Sequence, residues 1–207
     1  MTEKFYDAEA YWGQRFDKSG LSIRGPGDWG LSEKKNEIMY EKAKRVFLNL
    51  CKQEGIDLTK SRVLEVGTGN GFYANVLREA NVGEYLGTDI TDILFNKIQA
   101  TVPGMKFVKL DITQGSPPGE FDLVIVLDVT QHITSDELFS NAMQNIRDCL
   151  VPGGFIIIAA LLKDLGQLTF HQRYRGMGAF QKEFPHDKIG SPIPYRDKFI
   201  FPIQKEI

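Results

Sequence analysis

The residues best placed to do chemistry lie in one run, Val63-Leu64-Glu65-Val66-Gly67-Thr68-Gly69-Asn70-Gly71. A glycine-rich turn between a buried strand and a helix lets a ligand approach the backbone closely. At the carboxyl end of a parallel strand, it also faces the crevice where open α/β sheets bind small molecules. Spacing then selects the ligand class. A nicotinamide site asks for G-x-G-x-x-G. Counting from Gly67 puts Phe72 where the third glycine belongs. Counting from Gly69 puts Ala74 there, at the wrong distance from the strand, and Phe72 crowds the place a pyrophosphate needs. What remains is E-x-G-x-G-x-G, with Glu65 two residues ahead of the first glycine. The plainer alternative is that the three glycines serve only a tight turn.

Other segments carry reactive groups. Asp128-Val129-Thr130-Gln131-His132-Ile133 ends an apolar run, and the imidazole of His132 titrates near neutral pH, as a general base requires. Equally, His132 could pack under the next helix and bond a backbone group. Phe170-His171-Gln172-Arg173-Tyr174-Arg175 offers a second, weaker base in His171. Its arginines, Arg173 and Arg175, suit an anionic acceptor such as a carboxylate or phosphate, or are simply surface residues. No His/Asp/Glu cluster has recognisable metal spacing. Asp128 and His132 could in principle share a cation, but no metal is assigned. Cys51 and Cys149 form no CxxC pair and read as small buried apolar residues.

The elements that position these groups follow from hydrophobic period. Residues 1–31 are rich in aromatics (Phe5, Tyr6, Tyr11, Trp12, Phe16, Trp29), and Arg24–Gly30 must be loop, because Gly and Pro break regular structure. Ser32 can cap a helix to about Glu54, with Met39, Ala43, Val46 and Leu50 on its apolar face, Phe47 and Cys51 beside them, and Gly55 as its stop. Strands are predicted at Arg62–Val66, Glu84–Thr88, Met105–Leu110, Phe121–Leu127 and Phe155–Leu162. Between them come helices after Gly71, at Asp92–Ala100, and from a capping box Thr134-Ser135-Asp136-Glu137 to about Leu150. Val151–Gly154 reads as a turn. Such alternation demands right-handed crossovers and a parallel sheet with helices on both faces. Beyond Lys163 the pattern weakens. A short helix at Gly176–Phe184 and strands at Lys188–Ile193 and Lys198–Lys205 are predicted. The short link Pro194–Asp197 allows those two strands to be antiparallel, although Pro192, Pro194 and Pro202 argue against strand.

The motif around Glu65 and the glycines resembles the first motif of the class I S-adenosylmethionine-dependent methyltransferases of small-molecule type. Further landmarks agree in order. Asp89 follows Glu84–Thr88 where that family keeps an acid on the ribose hydroxyls, and Asp111 follows Lys106–Leu110 where it lines the adenine. Phe121–Asp128 looks like the family's fourth strand, and Leu150–Phe155 like its turn into the fifth. The resemblance covers about residues 38–162. It implies an α/β, doubly wound, mostly parallel seven-stranded sheet with helices on both faces, the last strand antiparallel, and a helical N-terminal cap. It further implies one domain, 1–207, with a cap segment 1–31, a donor-binding core 32–162 and an acceptor-side tail 163–207.

By the same resemblance S-adenosyl-L-methionine would bind Glu65, Gly67, Thr68, Gly69, Gly71, Asp89, Ile90, Asp111, Ile112, Leu127 and Asp128, and S-adenosyl-L-homocysteine would be the product. Tyr11 and Trp12, in a Y-W-x-x-R-[YF] segment found ahead of the core in small-molecule members, would close over the donor. The run D-V-x-x-H-I at Asp128–Ile133 would stand beside the methyl group, with His132 as the catalytic base. His171, Arg173, Tyr174 and Arg175 would bind the acceptor. Base methyltransferases carry D/N-P-P-Y/F where this chain has Asp128-Val129-Thr130-Gln131, so a nucleic-acid base is disfavoured.

Composition sets the outer bounds. Of 207 residues, 42% are hydrophobic and 25% charged, ordinary globular usage, so disorder is disfavoured. A net charge of −2 gives no field to hold a polyanion, and nucleic acid is not the expected partner. The polar opening Met1–Asp7 is not a signal peptide, and the longest apolar run, Phe155–Leu162, is too short to span a bilayer, so a cytoplasmic address is expected. The function expected is methyl transfer to oxygen or nitrogen of a small metabolite or sugar. The alternatives are a donor-binding partner or sensor without catalysis and, more remotely, a nicotinamide oxidoreductase.

Overall fold

Between Arg62 and Ala160 the predicted alternation becomes five parallel strands, β1 (Arg62–Val66), β2 (Glu84–Asp89), β3 (Lys106–Lys109), β4 (Phe121–Leu127) and β5 (Leu150–Ala160). They lie in the order β3-β2-β1-β4-β5 in a computed structural model that describes residues 6–207. Phe5 and the opening residues 1–5 of the supposed leader-free N-terminus lie outside the described residues. The strand pleat divides the core. Val63, Leu123, Ile125 and Ile157 pack with helices α2 (Glu33–Gln53), α3 (Phe72–Glu79) and α4 (Phe95–Thr101). Leu64, Val124, Val126, Ile156 and Ile158 face α5 (Asp136–Asp148) and α6 (Met177–Glu183) on the other side. Burial on both faces explains why these strands read as unbroken apolar runs, each large side chain contributing roughly 1.5–3 kcal/mol. A further helix, α1 (Ala8–Ser19), lies ahead of α2. No helix among the described residues is long and apolar enough to cross a membrane.

Helix ends follow the sequence closely. Ser32 caps α2 by accepting from the Lys35 N–H, and Gly55, at φ +71°, stops it with paired bonds from Gly55 N to Lys52 O and from Ile56 N to Cys51 O. The buried stripe of α2 is turned by one residue from the expected face. Asn36, Tyr40, Ala43, Phe47 and Leu50 are buried, while Met39 and Val46 flank them. Asn36 belongs to the stripe because its amide holds both the N–H and the C=O of Asp28, each at 2.9 Å, pinning the Arg24–Gly30 loop. The cap of α5 is Ser135, bonded to Leu138 N at 3.3 Å, rather than a box from Thr134 to Glu137. Helix α4 begins three residues later than expected, after a turn in which Phe95 N bonds Asp92 O.

The tail departs further. Strand β10 (Lys198–Gln204) runs antiparallel to β5, and on its outer side it meets two short strands, β8 (Lys188–Ile189) and β9 (Ile193–Tyr195). The sheet therefore has eight strands, not seven, because the sixth is cut in two. Pro202 is the cause. It has no N–H to donate, it sits opposite the gap between β8 and β9, and a side chain at Gly190 would come within 2.6 Å of its ring. The expected turn Val151–Gly154 is a bulge inside β5. Phe121 pairs with Leu150 and Leu123 with Phe155, so the intervening residues loop out without ending the strand. A two-stranded hairpin, β6 (Gly166–Thr169) and β7 (Gln172–Tyr174), occupies the stretch left without elements and presents Phe170 and His171 at its turn.

Candidate active site

A cavity of about 750 Å³ opens at the carboxyl ends of β1 to β4, within the range of small-molecule sites. One end is built on the glycine loop. Gly67 N and Thr68 N both donate to Thr88 O, at 2.8 and 3.0 Å, which locks the loop to β2. Gly67 takes φ +80°, and a side chain there would meet Val129 at 2.4 Å. Gly69 N donates to Asp89 Oδ2 at 2.9 Å, and Thr91 N donates to Oδ1 at 3.2 Å. Each Asp89 oxygen thus keeps a lone pair for the cavity that it lines. Burial pushes the Asp89 carboxyl up to about 6 against the pull of those backbone donors. Glu65 accepts from the Tyr85 hydroxyl at 2.5 Å. Burial, with the Asp89 charge adding, pushes it up to about 8, while the Tyr85 bond acts the other way. Asp111 is held by Thr113 N and Oγ1 at 2.9 and 2.8 Å, a local turn rather than a helix cap.

The other end is built from distant segments. His132 closes the 3-10 turn Thr130–His132 after β4 and lines the cavity. Its Nδ1 stands 3.0 Å from the His171 carbonyl, which can only accept, so Nδ1 carries the proton and Nε2 is the basic nitrogen. The Gln131 amide lies 3.4 Å from Nε2 and donates to Asp128 O at 2.8 Å. The ring meets Trp12 edge-on at 4.8 Å. Burial, the largest cause, lowers its pKa to about 4 despite the bond to His171 O. The imidazole is therefore neutral throughout the physiological range, and does not titrate near neutrality as its type alone implies. Asp128 adopts φ +63° and is bonded by Arg196 Nη1 at 2.5 Å and Lys198 Nζ at 2.6 Å. Burial alone would raise its carboxyl, but the Lys198 and Arg196 charges hold it below the ordinary value. With both oxygens taken by cations, Asp128 is not free to share a metal with His132. Among the described residues no group of three or more His, Cys, Asp or Glu side chains is arranged to hold a metal ion.

Helix α1 roofs the cavity. Asp7 caps it by accepting from Ala10 N, and Trp12 and Phe16 line the space below. Arg15 ties the helix to the next loop through Gly25 O (2.6 Å) and Gly27 O (2.8 Å), setting Pro26 against Gly69. At the rim Glu9 pairs with Lys109 of β3 at 2.5 Å.

The structure brings Glu65, Gly67, Thr68, Gly69, Asp89, Ile90, Asp111, Ile112, Leu127, Asp128, Trp12 and His132 to this one cavity. It places six other expected site residues elsewhere. Gly71 does not face the cavity. It opens α3 at φ +82° and lets α4 approach, since a side chain would meet Ile98 at 2.7 Å. Tyr11 points to the hairpin, stacking on the His171 ring at 4.7 Å. His171 contributes its carbonyl to His132, and its ring, which does not line the cavity, packs against Phe170 and Tyr11 and lies parallel to the His132 ring at 5.8 Å. Arg173 pairs with Asp136 at 2.6 Å, and its neighbour Tyr174 lies behind the β4 turn rather than in front of it. Arg175 is buried, lies 4.2 Å over the Phe139 ring, and donates to Ile133 O, Ser135 O and Asp136 Oδ1. Its chemistry is spent on holding the segment after His132, so it is not available to an anionic acceptor. Conversely, Tyr40, Phe72 and Tyr73 wall the cavity without having been expected there. Tyr40, four residues after Asn36 on the buried stripe, carried the one readable hint.

The profile of the family described as "Methyltransferase domain" matches residues 36–191. Among curated proteins the chain is 31% identical over 125 residues to lovastatin diketide synthase mokB of Monascus pilosus, covering 54% of this chain and 5% of that one. It is 30% identical over 115 residues to a tRNA U34 carboxymethyltransferase of Pseudomonas savastanoi pv. phaseolicola, covering 52% and 34%. The chain thus spans a small part of the length of these relatives. The fold is shared with magnesium protoporphyrin IX methyltransferase from Synechocystis, solved with bound S-adenosylmethionine. The TM-score is 0.74 at 18% identity, over 99% of this chain and 100% of that one. With the family matched over three quarters of its length, the chain belongs to the class I S-adenosylmethionine-dependent methyltransferases. Its domain is that of a methyltransferase, and its fold is that of enzymes solved with S-adenosylmethionine or S-adenosylhomocysteine bound.

Proposed function

We propose that this enzyme methylates an oxygen of a small-molecule acceptor, with His132 as the general base. The observation that carries the reading is the placement of His132 on the cavity wall with Nδ1–H fixed on His171 O, which leaves Nε2 as the proton acceptor. In this reading Asp89 takes the ribose diol of the donor, Glu65 supports the glycine loop from beneath, and Asp111 and Ile112 flank the adenine. Trp12 and Phe16 close over the donor and exclude water. The acceptor then approaches the sulfonium carbon in line. Holding the two together supplies roughly 7–11 kcal/mol of the barrier reduction, because the leaving group is already good.

Oxygen is favoured over nitrogen by the acidity of what must be deprotonated. A hydroxyl that attacks the methyl becomes a protonated ether, a far stronger acid than an imidazolium lowered to about 4, so the proton passes readily to Nε2. A neutral amine attacks without a base, and its alkylammonium product need not surrender a proton, so a base on the cavity wall serves a hydroxyl acceptor and not an amine. The test is a screen of hydroxylated and amine-bearing metabolites with methyl-labelled donor, wild type against His132→Ala. Methyl ethers formed by wild type and lost in the variant support the proposal. Methylated amines alone would overturn it. A tRNA acceptor, which the carboxymethyltransferase relative brings into view, belongs in the same screen, though the net charge of −2 favours no polyanion. Donor binding with no methyl transfer to anything screened would point to the sensor alternative.

A further inference from the structure

The turn between β9 and β10 lies at the ligand edge of the sheet. Phe199 pairs with Ala160 at the end of β5, and Ala159 pairs with Leu127 at the end of β4. The turn residues are therefore neighbours of Asp128, although far from it in sequence. We propose that Arg196 and Lys198 are positioning residues for methyl transfer: through Asp128 they fix the left-handed turn that presents His132 to the cavity, with Gln131 bracing it from behind.

Asp128 holds φ +63°, a left-handed conformation uncommon for an L residue, though less costly for aspartate than for most. Here the restraint is two cations, one on each carboxylate oxygen. All three side chains are largely withdrawn from water, at 17% exposure for Asp128, 7% for Arg196 and 11% for Lys198. Removing either cation leaves a half-paired buried charge. The turn itself bears signs of being held for Asp128's sake. Arg196 sits at φ +57°, and its buried Nε finds no hydrogen-bond partner among the described residues. The positive φ closes the two-residue β9–β10 hairpin, whereas the unbonded Nε is a cost with no local return.

The connection to the base is continuous. The Asp128 carbonyl accepts from the Gln131 amide at 2.8 Å, and that amide stands 3.4 Å from His132 Nε2. If the Asp128 backbone relaxes, the carbonyl turns away and Gln131 is released. The His132 backbone N–H, bonded to Val129 O at 2.8 Å, then loses the frame that aims the ring. The same guanidinium lies 4.6 Å over the Tyr40 ring, and the Tyr195 hydroxyl next to it bonds Tyr73. Both tyrosines of the opposite cavity wall are thus referenced to the same turn.

The inference rests on His132 as the base, but its test does not require turnover. Nitrogen-15 histidine spectra, assigned with His132→Ala, report the tautomer and titration of His132 in the full chain. In wild type the His132 signals should show a fixed Nδ1–H tautomer. In Arg196→Gln they should shift towards a mixture of tautomers, and Arg196→Lys should restore much of the wild-type pattern. Lys198→Met, which removes a nearby positive charge, should shift the His132 titration to higher pH. Calorimetry with S-adenosylhomocysteine should show donor-site affinity retained in all three. If Arg196→Gln and Lys198→Met melt at lower temperature while the His132 spectra stay as in wild type, the cluster serves stability alone and the proposal fails. Should Arg196→Gln not fold, the His132 tautomer in Lys198→Met decides: a mixture of tautomers supports the proposal, and the wild-type Nδ1–H tautomer overturns it. A His132 that proves non-catalytic in turnover assays would remove the base assignment without altering these spectra, so the two failures are distinguishable.

Discussion

The two ends of the cavity are made differently. At the glycine loop, the groups facing the ligand come from adjacent strand ends and are held by backbone bonds, as Gly67 and Thr68 are by Thr88 O. At His132, the groups come from α1, the β4 turn, the β6–β7 hairpin and the β9–β10 turn, and side chains hold them together. One end is a property of a short sequence, whereas the other is a property of the finished fold. A donor shared by a whole enzyme class suits the first, and an acceptor particular to one enzyme suits the second.

Breaking the two ends should therefore have separable effects. The largest is expected for His132→Ala: turnover should fall about 10²–10⁴-fold while S-adenosylhomocysteine binds normally by calorimetry. The base works when neutral, so wild-type kcat should be flat through neutrality and decline only as pH drops towards about 4. An acid limb near 6.5 instead would mean that the ring is more hydrated than its surroundings indicate. Next comes Arg175→Ala, which strips bonds from Ile133 O, Ser135 O and Asp136. Urea unfolding should show a loss of about 3 kcal/mol, with donor affinity unchanged. Weaker acceptor binding without lost stability would return Arg175 to the substrate.

At the other end, Asp89→Ala should weaken donor binding by about 1.5–3 kcal/mol, and a 2′-deoxy donor should discriminate between wild type and variant by calorimetry. If the 2′-deoxy penalty is the same in both proteins, the carboxylate does not bind the ribose. The smallest effect belongs to Glu9→Gln. The Glu9–Lys109 pair is exposed at the rim, so the variant should release the donor somewhat faster in stopped-flow at low salt and match wild type at high salt.

These differences also explain what could be read from the sequence. The places of Glu65, Gly67, Gly69 and Asp89 on the cavity wall were legible because a tight turn, a close backbone approach and an acid at a strand end each demand particular residue types at fixed spacing, whereas Gly71 proved to serve helix packing. The centre of the sheet was legible because β4 and β5, buried on both faces, are runs of almost wholly apolar residues. Arg173 and Arg175 misled because composition does not say whether a guanidinium faces a ligand or a set of backbone carbonyls. Arg196 and Lys198 left no trace at all. Their partner is Asp128, and nothing local marks a tail turn as the neighbour of β4. The split of the sixth strand was half legible: the prolines were visible, but which side of β10 Pro202 would disturb depended on the register.

The position of β10 separates chain order from spatial order. Asp128 leaves the ribosome 68 and 70 residues before Arg196 and Lys198, its partners in the finished protein. At ordinary synthesis rates that is an interval of roughly 4–14 seconds. In that interval the end of β4 carries an unpaired carboxylate, which resists being enclosed and keeps that edge of the sheet in water. The glycine loop needs only β1 and β2 and has no such delay. A growing chain should thus gain the donor pocket before it gains the place where chemistry happens. Stalled chains of increasing length, probed for protection by S-adenosylhomocysteine and for order around His132, would time the two events. If both arrived together, the two ends of the cavity would have to form as a single cooperative unit.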